Sequence, residues 1–292
     1  MSANAARKRM RFASRVGVLS VVTIGLVVGL AAAPAAAVPV ATSSSSAASV
    51  GSSWSFLAQR SYVALGDSYT AGQGAPPYRS GPCLQSRYTS YPTIAATFSL
   101  YKLTANKACS GATVADTAAQ LSGVSSKTAR VTLTVGAIDA GSNAVLAACG
   151  ADPTSAACQQ AIVSAVQALS QLGPKLVGLY STIAATLPNA RVAVLNYPHL
   201  FEPGVDPLGD LFNTATDALN GVIQGSVAAV GDSRVVYVDV TQEFAGHGIG
   251  SRVPYIAYNP SNILATANFH PNALGNTFGY ARALANDRVF SR

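Results

Sequence analysis

The chain has 292 residues, of which 49% are hydrophobic and 11% charged, with a formal net charge of +7. Arg7, Lys8, Arg9, Arg11 and Arg15 supply five of those charges, which leaves +2 for the remainder, and no basic stripe is interleaved with aromatics. Nucleic-acid binding is therefore disfavoured, and beyond the apolar stretch from Val16 to Ala33 no run is long enough to span a bilayer.

In chain order, the basic cluster, that apolar stretch and "APAAAVPV" have the layout of a secretory signal peptide covering residues 1–37, cut after Ala35-Ala36-Ala37, with an uncleaved membrane anchor as the alternative because the apolar stretch is long for a signal core. The cluster lacks an adjacent arginine pair, so a Sec-type route is expected, and no integral membrane association is expected after cleavage. Residues 38–60, centred on "ATSSSSAASVGSS", are too small and polar to pack and read as a linker. Residues 61–292 contain no second low-complexity break and no repeat, which predicts one domain with a substantial core.

Within that domain, strand-like runs occur at Tyr62–Leu65, Val131–Val135, Arg191–Asn196 and Arg234–Val240, with a weaker one at Tyr101–Leu103. Helical periodicity fills the gaps. The best example starts at an Asp152-Pro153 cap and carries Ile162, Val166, Leu169, Leu176, Tyr180, Ile183 and Leu187 on one face, with Gly173-Pro174 expected to kink or split it. Alternating strands and helices predict an α/β fold, a doubly wound parallel sheet in three α/β/α layers.

"SYVALGDSYTAGQG", residues 61–74, places Ser68 where a strand gives way to a helix, at the sheet edge where open α/β sheets bind ligands. The tripeptide recurs as Gly231-Asp232-Ser233, but there it precedes a β-branched run and reads as a turn into a strand. No G-x-S-x-G elbow, G-x-G-x-x-G or Walker-type lysine is present, which argues against an ordinary α/β-hydrolase and a nucleotide site. A nucleophilic serine needs a base, and three histidines are available. His199 follows a strand among aromatics and His247 sits in a glycine-flanked loop, whereas His270 stands at the rigid His-Pro-Asn start of a terminal helix. Four cysteines in an exported chain suggest two disulfides in one of three connectivities; Cys83, Cys109, Cys149 and Cys158 lack zinc-ligand spacing.

The blocks "ALGDSYTAGQGA", "ACSGATVAD", "VTLTVGAIDAG", "LPNARVAVLNYPHLF" and "FHPNALGNTFGYA" resemble, in the same order, those of the GDSL or SGNH hydrolases, and most closely their secreted bacterial lipase and esterase branch. The resemblance spans nearly the whole chain after Ser61 and implies the flavodoxin-like SGNH fold. It implies Ser68 as nucleophile, His270 as general base and then acid, and the backbone N–H groups of Ser68 and Gly111 as oxyanion donors. It further implies the pairs Cys83–Cys109 and Cys149–Cys158, no metal or organic cofactor, and a monomer acting on a small-molecule or lipid acyl ester outside the cell. Two positions depart from the pattern. The family's aspartate three residues before the histidine is Ala267, whose backbone carbonyl is the expected substitute. Its Gly-x-Asn-Asp reads Gly136-Ala137-Ile138-Asp139, so a side-chain donor to the oxyanion is missing. That loss motivates a rival reading, a weakened or non-catalytic secreted binding protein on the same fold. A third disulfide of the branch, between "FEPGVDPLG" and "FAGHGIGS", lacks both cysteines.

Overall fold

A computed structural model describes residues 60–263 and 265–291; the signal peptide and nearly all of the linker read from the sequence lie outside the described residues. Five parallel strands form the centre: β1 Arg60–Gly66, β2 Tyr101–Asn106, β3 Arg130–Thr134, β4 Arg191–Leu195 and β5 Val235–Val238. Their order is β2-β1-β3-β4-β5, the flavodoxin-like doubly wound arrangement. The order in which strands are added to the sheet reverses between β1 and β3, so the ends of these two parallel strands border a crevice at the carboxyl edge. β1 and β3 are buried on both faces, as helix-covered parallel strands must be.

The helices are α1 Ser68–Ala71, α2 Tyr91–Thr97, α3 Val114–Ala119, α4 Ser142–Ala151, α5 Ala156–Thr186, α6 Pro207–Val230, α7 Thr241–Phe244 and α8 Arg282–Asn286, the last preceded by a π-helical stretch, Gly275–Ala281. α3, α4, α5 and α6 pack as one group, and α2, α7 and α8 pack around the π-helical stretch as another. Together they supply the two outer layers. A two-stranded antiparallel ribbon, β6 Ile256–Ala257 with β7 His270–Pro271, lies outside the main sheet.

Two expectations about α5 are corrected. Its N-cap is Ser155, whose hydroxyl accepts from Cys158 N, while Asp152 ends α4 and turns its carboxylate to Thr154 N. The helix also runs unbroken through Gly173-Pro174. Leu172, Leu176, Leu179, Tyr180 and Ile183, on both sides of the proline, are buried in the core, and this packing outweighs the hydrogen bond that proline cannot make. The second GDS does form a turn: Gly231 ends α6 in the left-handed region and Asp232 binds Arg234 N ahead of β5.

Both disulfides are formed as Cys83–Cys109 and Cys149–Cys158. Where a third is missing, the two loops are joined by hydrogen bonds instead. Glu202 N donates to Ile249 O at 2.9 Å, Gly248 N donates to the Glu202 carboxylate at 2.6 Å, and Val205 lies against the position a Cβ of Gly250 would take. Among the described residues no helix is long and apolar enough to cross a membrane.

Cys109 N also donates to Gly66 O at 3.0 Å, so the first disulfide anchors its loop against the end of β1. Replacing Cys83 and Cys109 together by serine should lower the unfolding free energy by about 2–4 kcal/mol. Urea denaturation of the double variant checks this, and an unchanged midpoint would contradict it.

Candidate active site

Ser68 is set by the way β1 ends. Gly66 adopts φ +120°, and a Cβ there would collide with the carbonyl oxygen of Thr134, so only glycine lets β1 leave the sheet this close to β3. Asp67 N then donates to Thr134 O at 3.0 Å, and Asp67 caps α1 by accepting from Tyr69 N at 2.9 Å. Ser68 follows as the first helical residue, nearly buried, with its hydroxyl at the floor of a cavity of about 300 Å³.

His270 reaches this point from the other end of the chain. Its Nε2 lies 2.9 Å from Ser68 Oγ and its Nδ1 lies 2.7 Å from the carbonyl oxygen of Asn268. A carbonyl can only accept, so Nδ1 carries the proton and Nε2 presents its lone pair to the serine hydroxyl. The orienting carbonyl is thus that of Asn268 rather than Ala267. Phe269 holds a left-handed conformation at φ +62°, which reverses the chain and turns the carbonyl two residues before the histidine, not three, towards the ring. Such a conformation is costly for a bulky residue. It is held by Phe269 N donating to Ala257 O and by Tyr69 OH donating to Phe269 O, both at 2.8 Å. The Asn268 side chain is fully used as well, accepting from Asn259 N and donating to Asn262 O and Ile263 O.

The other two histidines are engaged elsewhere. His199 pairs with Asp217 at 2.7 Å on the surface, and His247 stacks on Tyr255 with ring centroids 3.8 Å apart.

Several side chains that the motifs did not single out tie the site together. Gln73 donates to Thr266 O at 2.6 Å and accepts from Ser110 Oγ at 2.5 Å, bridging the histidine loop to the loop that carries Gly111. Gly111 itself stands at φ +77° with open space where a Cβ would be, and it is not among the residues lining the cavity. Asp139 accepts from Val114 N at 2.8 Å, fixing the loop after β3 to the start of α3. Tyr197 donates to Asp67 at 2.5 Å and accepts from Ala137 N at 3.1 Å, linking the serine turn to that same loop. Ile138 lines the cavity next to these groups.

Burial makes the site poor in charge. Desolvation pushes the His270 imidazole down to about 4, against a smaller upward pull from the Asn268 carbonyl. Desolvation likewise raises the Asp67 carboxyl to about 7, although the bonds from Tyr197 and the Tyr69 amide oppose the rise. Asp67 has no bond to the imidazole, so it is not a third member of a triad.

A parallel α/β domain with a serine–imidazole pair opening into an apolar cavity defines a serine ester hydrolase. This chain belongs to the GDSL-like lipase/acylhydrolase family, whose model matches residues 64–278. It is 34% identical to Lipase 1 of Streptomyces coelicolor over 233 residues, 76% of this chain and 85% of that protein. Among solved structures, an extracellular lipase from Streptomyces rimosus superposes with a TM-score of 0.70 at 33% identity, covering 78% of this chain and 99% of the other. A phospholipase A1 from Streptomyces albidoflavus superposes at 0.69 and 32% identity with the same coverage.

The His270 shift has a definite sign. Between pH about 6.5 and 4 an unfolded chain binds a proton that the folded imidazole refuses, so this group's contribution to stability is complete above that window and is lost as pH falls through it. NMR titration should give His270 a midpoint near 4. A midpoint in the ordinary imidazole range, about 6–7, would contradict the burial argument.

Proposed function

We propose that the protein is a secreted carboxylic-ester hydrolase that works through an acyl-enzyme on Ser68. The observation that carries this reading is the 2.9 Å bond from Ser68 to an imidazole whose other nitrogen is held by a peptide carbonyl. Ser68 Oγ attacks the acyl carbonyl while His270 Nε2 takes its proton. The resulting imidazolium then protonates the departing alcohol, leaving the acyl group on Ser68. Water adds next, again with His270 as base, and releases the carboxylic acid. The family resemblance assigns the backbone N–H groups of Ser68 and Gly111 as oxyanion donors, and of the two Ser68 lines the cavity. The likeness to an extracellular lipase and a phospholipase A1 supports a lipid or other acyl ester as substrate, and the secretory layout of residues 1–37 supports export ahead of the 38–60 linker.

Ser68→Ala and His270→Ala should each remove nearly all ester hydrolysis, and the double variant should be little worse, because members of one catalytic unit are not additive. Labelling by a fluorophosphonate, with loss of the label in Ser68→Ala, tests whether the serine is activated. Substantial turnover by Ser68→Ala would overturn the assignment.

Ile138 favours a second reading, a weakened enzyme or a binding protein, since an apolar residue lines the cavity where the family's pattern has an amide donor. A single oxyanion donor is typically worth about 2.7–4 kcal/mol. Ile138→Asn should therefore raise kcat on a simple ester at least about tenfold with little change in KM, because the new bond forms mainly in the transition state. An unchanged kcat in a folded variant of an already fast enzyme would mean that no donor is missing. Inertness of both forms, with no fluorophosphonate label, would favour the binding protein.

A further inference from the structure

We infer that the cavity above Ser68 is a trough for a single acyl chain of medium length, whose far wall measures the chain; this rests on the ester-hydrolase reading. Its polar lining is Asp67, Ser68, Gln73, Thr266, Asn268 and His270 at the reacting end, with Ser142 and Asn143 at the start of α4. The rest is walled chiefly by three helices: Val145 and Leu146 from α4, Ala165 and Leu169 from α5, and Phe212 and Leu219 from α6. Thr216, which also faces the trough, spends its hydroxyl on Phe212 O at 2.9 Å within α6, so that wall offers apolar contact.

The order of these residues along the trough follows from their neighbours. Leu219 lies within 3.6 Å of the position a Cβ of Gly136 would take, just past the end of β3, and so marks the serine end. Phe212 stands two helical turns earlier on α6, roughly 10 Å away at 1.5 Å per residue. There it packs with Val145, Cys149 and Cys158, none of them more than 9% exposed. The disulfide between those cysteines pins the turn from α4 to α5. This packed, cross-linked cluster closes the end of the trough farthest from the serine, while Ala165 and Ala215 leave space along its length. A volume of about 300 Å³, at roughly 30 Å³ for each water-sized group, accommodates on the order of ten such groups. That corresponds to one acyl chain of about eight to ten carbons.

The test is kcat/KM for p-nitrophenyl esters from acetate to palmitate, each kept below its micelle concentration. The purified protein should gain roughly fourfold per methylene as each is buried, with a break at about eight to ten carbons. Phe212→Ala should move the break to longer chains. Ala165→Trp, which plugs the middle of the trough, should lower octanoate hydrolysis at least about tenfold more than acetate hydrolysis. A short-chain fluorophosphonate applied to each variant reports whether the serine end is intact. A break that stays in place in a labelled Phe212→Ala variant, or equal losses on octanoate and acetate in a labelled Ala165→Trp variant, would overturn the trough. Hydrolysis of no ester, with Ser68 unlabelled in the unmodified protein, would instead overturn the ester-hydrolase reading beneath it.

Discussion

The bond between Ser68 and His270 joins residues 202 positions apart in the chain. A typical hydrogen bond contributes only about 1 kcal/mol net, far too little to hold two loops together, so the surrounding structure must place the pair. The absence of a side chain at Gly74 is central to this, because a Cβ there would collide with the backbone carbonyls of His270 and Pro271. The two segments thus lie backbone against backbone. Asn276 then fastens the following turn, accepting from Tyr91 N and donating to Pro271 O, both at 2.8 Å. Tyr69, Tyr91 and Tyr280 fill the space beneath, with the Tyr91 and Tyr280 rings stacked at 5.0 Å. Both catalytic candidates are therefore held by buried packing on one side and backbone contact on the other.

That same burial sets the electrostatics. A peptide carbonyl behind the imidazole carries only a partial charge, so it orients the ring without stabilising the imidazolium as a carboxylate would. The result is an imidazole that is neutral over a wide pH range and that, in the proposed mechanism, would give up more free energy on taking the serine proton. Asp67, though adjacent in sequence to Ser68, has its carboxyl raised to about 7 by desolvation and spends its bonds on Tyr197 and its own helix. Its role is to hold the turn and, through Tyr197, the loop with Ile138. Rigidity of the donors matters most where few are present, since preorganised dipoles act at the moment charge develops.

Much of this was legible in the sequence because it rests on short-range rules. Four of the five strands stood out as apolar runs while β2, YKLTAN, showed only weakly, and the two copies of GDS were separated correctly by what flanks them. The family blocks brought Ser68 and His270 together, along with the cysteine pairs. What could not be read depended on long-range packing. The helix through Pro174 survives because a buried face spans it, which no local propensity expresses. The orienting carbonyl falls at Asn268 because Phe269 takes a left-handed conformation, unusual for phenylalanine and without any glycine or asparagine at that position to signal it. Gln73 and Tyr197 act by bridging loops far apart in sequence, and the trough depends on how α4, α5 and α6 meet.

In the proposed mechanism Ser68, supported by a carbonyl-held imidazole, carries the acyl group. Mixing the protein with a slowly deacylated p-nitrophenyl ester, quenching in acid and mapping the peptides by mass spectrometry tests it most directly. An acyl adduct should appear on the peptide containing Ser68, formed in step with a burst of p-nitrophenol. Continued turnover with the adduct on another residue would contradict it.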